Sequence, residues 1–365
     1  MRFIEEYRDA DLVKGLLKKT KEILDGQVIS LMEVCGTHTM AIARSGLRSM
    51  FPRGLTLLSG PGCPVCVTAT QDIDYSIALA RQKDVIVTTF GDMVRVPGSE
   101  LSLAEVKATG ADVRIVYSTI DALQIARQNP QKQVIFLGVG FETTAPTVAA
   151  AIVQAREKKL SNFYVFSVHK LVIPAMVALL ESREVHIDGF LCPGHVSVII
   201  GSKPYQKIVS DYGVPCVISG FEPVDIVQSI YMLVKQIVEG QPQVQIQYRR
   251  AVSAEGNVRA QQILAQTFVE YDDLWRGLGR IPRSGLKLNH AYKSFDAEEI
   301  FPIEIRSAPD PKGCECGNVL KGVTKPVECP LFGRKCTPAT PVGPCMVSSE
   351  GACAAYYKYG QLLSE

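Results

Sequence analysis

The stretch Val28-Ile29-Ser30-Leu31-Met32-Glu33-Val34-Cys35-Gly36-Thr37-His38-Thr39 sets the plan of the chain. Its apolar, partly β-branched first half reads as a buried strand, and Cys35-Gly36 marks where that strand stops and a helix begins. The same grammar recurs over the first 240 residues: apolar runs at 55–58, 85–89, 113–117, 134–139, 163–168, 187–192 and 216–219. Helix-length segments at 72–82, 119–128, 147–158 and 223–238 lie between most of them. Buried strands alternating with helices belong to parallel sheets. Eight or so strands are many for one sheet, so the expectation is two α/β lobes, 1–130 and 131–245.

A short echo supports two lobes. Phe136-Leu137-Gly138-Val139-Gly140-Phe141-Glu142 and Val217-Ile218-Ser219-Gly220-Phe221-Glu222 both read strand, Gly-Phe-Glu, helix. From about Gln241 the texture changes, with a short strand at 244–248, a helix at 254–267 and an irregular polar stretch at 275–296. After Pro302 the chain is rich in Pro, Gly and Cys. Residues 246–365 are thus expected to end in a small cysteine-rich domain. Such a segment buries too little apolar surface to order itself, so a metal centre is the economical source of its order.

A length of 365 residues leaves room for two domains and an appendage. A net charge of +2, no basic block and one Trp argue against nucleic acid as a partner. No run approaches the ~18 apolar residues of a spanning helix. Met1-Arg2-Phe3-Ile4-Glu5-Glu6 has acidic residues where a signal peptide would be apolar, so a cytoplasmic location is expected. In a reducing compartment, eleven cysteines point to metal binding, redox chemistry or nucleophilic catalysis.

Six of those cysteines crowd the tail: Cys314, Cys316, Cys329, Cys336, Cys345 and Cys353. A zinc ribbon would show two Cys-x-x-Cys knuckles, and the tail has none. Dispersed single thiols, one followed by Pro330, suit a [4Fe-4S] cluster, whose irons take ligands from different directions. Six thiols leave two beyond the four a cluster needs, and this density is too high for inert core cysteines.

Gly60-Pro61-Gly62-Cys63-Pro64-Val65-Cys66 follows the run at 55–58. Cys-x-x-Cys places two sulfurs within disulfide reach, and a following helix N-terminus would favour a thiolate. A structural pair or half a zinc site is the alternative, but no second knuckle completes the latter. Cys35 stands at a strand end, where ligands bind in open α/β sheets. A lone Cys there can be core filler. Gly36 and His38 instead suggest an exposed thiolate with a donor or proton acceptor beside it. A Cys35–His38 hydrolase is conceivable, though no third member or oxyanion hole is fixed.

Weaker signals complete the reading. His195, in Cys192-Pro193-Gly194-His195-Val196-Ser197, could enter a cleft, whereas Cys192 and Cys216 lie in apolar runs and read as core. Glu142, before Thr143-Thr144, could cap the next helix or face a ligand. The segment at 90–98 is long for a structural connection. No Walker motif is present, and Gly138-x-Gly140 lacks the third glycine of a dinucleotide loop.

Together, the motifs beginning at Cys35, Gly60, Phe90, Gly140, Cys192 and Pro344 closely resemble the hydrogenase maturation factor HypD family, over nearly the whole chain. The resemblance implies a scaffold and electron relay on which the Fe(CN)2CO unit of nickel–iron hydrogenase is assembled. It implies the chaperone HypC and the cyanide donor HypE as partners, with the hydrogenase large subunit as recipient. Cys35 would be the iron ligand shared with HypC, and Cys63 and Cys66 a thiol–disulfide pair near it. The tail is similar to that of ferredoxin:thioredoxin reductase, where a cluster lies against a disulfide. By that likeness Cys314, Cys329, Cys336 and Cys353 would hold the cluster, and Cys316 and Cys345 would form a redox pair. Alternating directions in an extended Cys-x-Cys agree that Cys314 and Cys316 do not serve one cluster equally. A stand-alone disulfide reductase using the same groups is the alternative.

Overall fold

A computed structural model describes residues 5–305 and 310–360. Its strands are β1 (Ile29–Glu33), β2 (Leu55–Ser59), β3 (Val85–Thr89), β4 (Asp112–Ile115), β5 (Gln133–Gly138) and β6 (Phe163–Ser167). They continue as β7 (Gly189–Pro193), β8 (Cys216–Ser219), β9 (Val244–Ile246), β10 (Phe268–Trp275) and β11 (Gly279–Leu288). Two all-parallel sheets result, ordered β2-β1-β7-β8-β9 and β4-β3-β5-β6, and β10 pairs antiparallel with β11. The expected α/β class with parallel sheets and a cysteine-rich tail is what the chain adopts.

The strands are not shared out in chain order, as a division at residue 130 would require. The first sheet takes β1 and β2, then skips to β7–β9, and the second sheet is built wholly from the chain between. The junction is the pairing of β1 with β7, Leu31 opposite Gly189. A Cβ on Gly189 would lie 3.1 Å from Leu31 and 3.3 Å from Leu233, so the close seating of helix Pro223–Glu239 depends on that glycine. Local pattern identifies strands but says nothing about which distant strand supplies the second edge.

Both sheets are covered on both faces. Val13 and Leu17 of helix Ala10–Leu24 join Ile226, Ile230 and Leu233 of helix Pro223–Glu239 on one side of the first sheet. Burying each such side chain contributes about 1.5–3 kcal/mol, which fixes the strand ends that follow.

The stretch 275–296 was expected to be irregular, yet β11 runs through it. Pro282 and the left-handed Arg283 (φ 50°) break its alternation, and the register shifts between Tyr271 and Asp273. A two-stranded ribbon is all edge, so it tolerates a proline that a central strand would not. Among the described residues the tail's helices are short, Cys316–Leu320, Pro326–Glu328, Pro344–Val347 and Ala352–Tyr359, the last lying on helix Gly36–Arg44.

Candidate functional site

β1 ends in the buried Glu33, and Cys35 caps helix Gly36–Arg44 in an extended conformation. The Glu33 carboxyl accepts the Cys35 backbone N–H at 3.0 Å and the Thr39 hydroxyl. Burial pushes Glu33 up to about 7, and hydrogen bonds from Thr39 and Ser59 pull the other way. The Cys35 thiol is buried too, and burial, with the charge of Glu350 adding to it, pushes it up to about 12. The exposed thiolate expected from Gly36 and His38 is therefore replaced by a covered, protonated thiol.

The Gly60–Cys66 motif lies directly on this loop. Gly60 N–H donates to the Glu33 carbonyl at 2.8 Å, and Gly36 N–H donates to the Gly62 carbonyl at 3.0 Å. A Cβ on Gly62 would sit 2.2 Å from the Val34 carbonyl group and 2.5 Å from Cys35 Cα, so only glycine allows the approach. Cys63 and Cys66 are joined in a disulfide on the helical turn Pro64–Val67, with Cα atoms 5.2 Å apart.

The tail continues the run of sulfur. The Pro344 carbonyl lies 4.0 Å from Cys66 Sγ, and the next residue, Cys345, has its Sγ 2.9 Å from Cys316 Sγ. Gly343 packs on the other side, where a Cβ would lie 2.9 Å from Cys314 Sγ. Cys314 is pushed up by its hydrogen bond to Cys316, then by burial, with the charge of Cys329 adding. Cys336 is pushed up by burial, and by charge on Cys353 and Cys329. Cys314, Cys329, Cys336 and Cys353 stand on separate turns of the tail, and four thiols are the number and kind of donor that an iron–sulfur cluster takes. Around one zinc ion, thiolates 2.3 Å from the metal would lie about 3.8 Å apart. Among the described residues no His, Cys, Asp or Glu group of three or more forms such a metal site.

His38 turns away from the role its position suggested. Its Nε2 lies 2.9 Å from the Gly220 carbonyl, which can only accept, so Nε2 holds the proton. Burial lowers His38 to about 4 and keeps it neutral. Phe221 stacks between His38 and His195, with centroids 4.6 and 3.9 Å away. His195 is an exposed ring stacked on Phe221, and Cys192 and Cys216 are core. Glu142 does cap a helix, but not the next one. Its Oε1 accepts the Val172 N–H at 3.0 Å, at the start of helix Val172–Ser182. The long 90–98 connection holds the helical turn Gly91–Val94, and Arg95 then donates to the Pro338 carbonyl of the tail.

Sequence reading gave no role to Glu33, Glu350, Lys170 or Arg276. Lys170 is fully buried, paired with Asp273 and 3.8 Å from Asp72. Arg276 is buried against the Thr68 carbonyl at 3.1 Å; Cys316 is held below the usual thiol range by hydrogen bonds with Cys314 and Cys345, with the charge of Arg276 adding. For Glu33 and Lys170 the available signal was a charged residue inside or just after an apolar run, since burial without a partner is costly.

Fold and site define a class: a two-lobed α/β protein whose strand-end thiol, disulfide and cysteine-rich tail form one continuous sulfur neighbourhood. The HypD profile, described as "Hydrogenase formation hypA family", matches residues 11–360. Hydrogenase maturation factor HypD2 of Bradyrhizobium diazoefficiens is 49% identical, over 99% of this chain and 97% of its own. HypD of Escherichia coli is 47% identical over 100% of both chains, and HypD of Cupriavidus necator 46% over 99% and 98%. The chain belongs to the HypD family of hydrogenase maturation factors. Among solved structures, a D-threo-3-hydroxyaspartate dehydratase from Delftia overlaps at a TM-score of only 0.15 and 12% identity, over 73% of this chain and 67% of that one.

Proposed function

We propose that this chain is the scaffold on which iron carrying CO and cyanide is assembled for a nickel–iron hydrogenase, with Cys35 as its thiolate to that iron. The observation behind this reading is the unbroken neighbourhood from the tail through Cys316 and Cys345 to Cys66, and on to the backbone of Cys35. HypC would dock over the cleft holding Cys35, Cys63 and Cys66, HypE would supply cyanide, and the large subunit would receive the iron. A soft thiolate suits iron with such ligands, and iron binding displaces the thiol proton.

A [4Fe-4S] cluster on Cys314, Cys329, Cys336 and Cys353 would supply electrons at the far end of the run. Thiols at Cys316 and Cys345 can close to a disulfide while the Cys63–Cys66 disulfide opens to two thiols. Two electrons and two protons change sides, and no other reagent is consumed. The buried surroundings of Cys35 exclude water from the loaded iron.

Infrared spectra of protein co-produced with its partners test this. CO and CN stretching bands are expected, and are lost in Cys35→Ala with the iron content of the tail unchanged. Bands absent from the wild type, or surviving in Cys35→Ala, overturn the assignment. The closed disulfide beside Cys345 also favours a stand-alone disulfide reductase. Sustained turnover of a small disulfide without any maturation partner would select that reading.

A further inference from the structure

We infer that the tail turn 348–351 is a lid over Cys35, latched by Glu350 on Thr37. The inference rests on Cys35 being the receiving thiol. A strand-end position in an open α/β sheet ordinarily faces a solvent crevice, yet Cys35 is only 8% exposed. The cover comes from more than three hundred residues away. The Thr37 hydroxyl donates to Glu350 Oε1 at 2.7 Å. A Cβ on Gly36 would lie 2.5 Å from both Glu350 Cβ and the Glu350 carbonyl oxygen, so the residue after the thiol must be bare for the lid to seat.

The turn is tied to itself and to the tail more than to what it covers. Ser348 N–H donates to the Pro344 carbonyl at 3.2 Å, Gly351 N–H to the Ser348 carbonyl at 3.0 Å, and Glu350 N–H to Ser348 Oγ at 3.3 Å. A Cβ on Gly351 would lie 2.2 Å from the Cys345 carbonyl oxygen, so the base of the turn is pressed onto Cys345. Its far end runs into helix Ala352–Tyr359, which carries Cys353. Helix Ala352–Tyr359 stays seated on helix Gly36–Arg44, so the lid opens at the turn between the two tail cysteines, whose polar hold on the Cys35 loop among the described residues is one side-chain hydrogen bond. Closed, it keeps a soft thiol from stray metal and oxidant. Open, it admits an iron bound to a second protein.

The test is labelling of Cys35 in full-length protein produced without its maturation partners and purified anaerobically, read by peptide mass spectrometry. Methyl methanethiosulfonate serves as the small probe and a nitroxide methanethiosulfonate as the bulky one. A lid predicts that the wild type disfavours the bulky probe at least about tenfold more than a cysteine peptide does. Glu350→Ala and Thr37→Val should each raise the bulky-to-small ratio about tenfold, the scale of one hydrogen bond. Glu350→Gln keeps an acceptor for Thr37 and should leave the ratio unchanged while speeding both probes through lost charge. Equal acceleration of both probes in the Ala and Val variants, or no change, overturns the lid. Should those variants misfold, a wild type that does not discriminate by size overturns it alone. No iron transfer is read, so a lid without infrared bands sinks only the scaffold reading, and bands without a lid sink only the lid.

Discussion

Gly140-Phe141-Glu142 and Gly220-Phe221-Glu222 open with the same three residues, just past the carboxyl ends of β5 and β8. Their glycines answer one requirement. A Cβ on Gly140 would strike Thr144, and one on Gly220 would lie 2.3 Å from Asp225 Oδ2, each a residue near the start of the next helix. Beyond that they diverge. The Gly140 carbonyl accepts the Lys170 backbone N–H at 2.9 Å and Phe141 stacks on Trp275, whereas the Gly220 carbonyl takes the His38 ring and Phe221 lies between two histidines. Glu142 is buried with Oε2 unpartnered among the described residues, and Glu222 forms a surface pair with Arg8 at 2.6 Å. Backbone need is written in the motif. The fate of its side chains is decided by whichever third element packs there: the β10–β11 ribbon at one turn, the Cys35 helix at the other.

The sharpest attack on this contrast is Lys170→Met. It keeps the backbone bond to Gly140 but leaves Asp273 and Asp72 buried without their cation. A loss of about 3–5 kcal/mol is expected in denaturant unfolding, and a loss below about 1 kcal/mol would show that the ribbon does not anchor the first turn.

Next comes Glu142→Gln. Burial raises the Glu142 carboxyl from 4.5 to about 7. Its contribution to stability is therefore fully present below pH 4.5 and is lost as pH rises through about 7. The wild type should lose on the order of 3 kcal/mol more than Glu142→Gln between pH 4 and 8. Parallel curves for the two proteins would contradict the burial argument.

Phe221→Ala should cost less, about 1–2 kcal/mol, because the ring is half-buried and its stacking energy is modest. Its signature is electrostatic: His38, held near 4 by burial, should titrate closer to the ordinary imidazole range by NMR. An unmoved His38 would mean that the ring does not shield it. The smallest effect belongs to Glu222→Gln, which removes an exposed ion pair and should leave the unfolding midpoint unchanged at physiological salt. A clear drop there would put the second turn on the same footing as the first.

β1 to β8 were legible because each is a short apolar run next to a turn or helix signal. Their sharing between sheets was not, since Leu31 meeting Gly189 is a contact across the chain that no local pattern records. The ribbon hid behind Pro282 and Arg283. At the site, the cysteines were visible as residue types in a pattern, and their covering was not. Nothing in the spacing of Thr37 and Glu350 tells that one lies on the other. The choice of Cys316 and Cys345 as a pair came from family likeness, and the structure sets their sulfurs 2.9 Å apart.

The splitting of the first sheet has a consequence for how the chain is made. β1 and β2 emerge from the ribosome early, but the partner that completes β1 begins only at Gly189, about 130 residues after β2 ends. At roughly 5–20 residues per second that is a wait of roughly 7–26 s, during which the whole second sheet can fold. Cys35, Cys63 and Cys66 spend that time on an unfinished edge. Glu350, which holds Thr37 beside Cys35, is made more than three hundred residues after that thiol, so a product truncated before it would carry Cys35 without that contact.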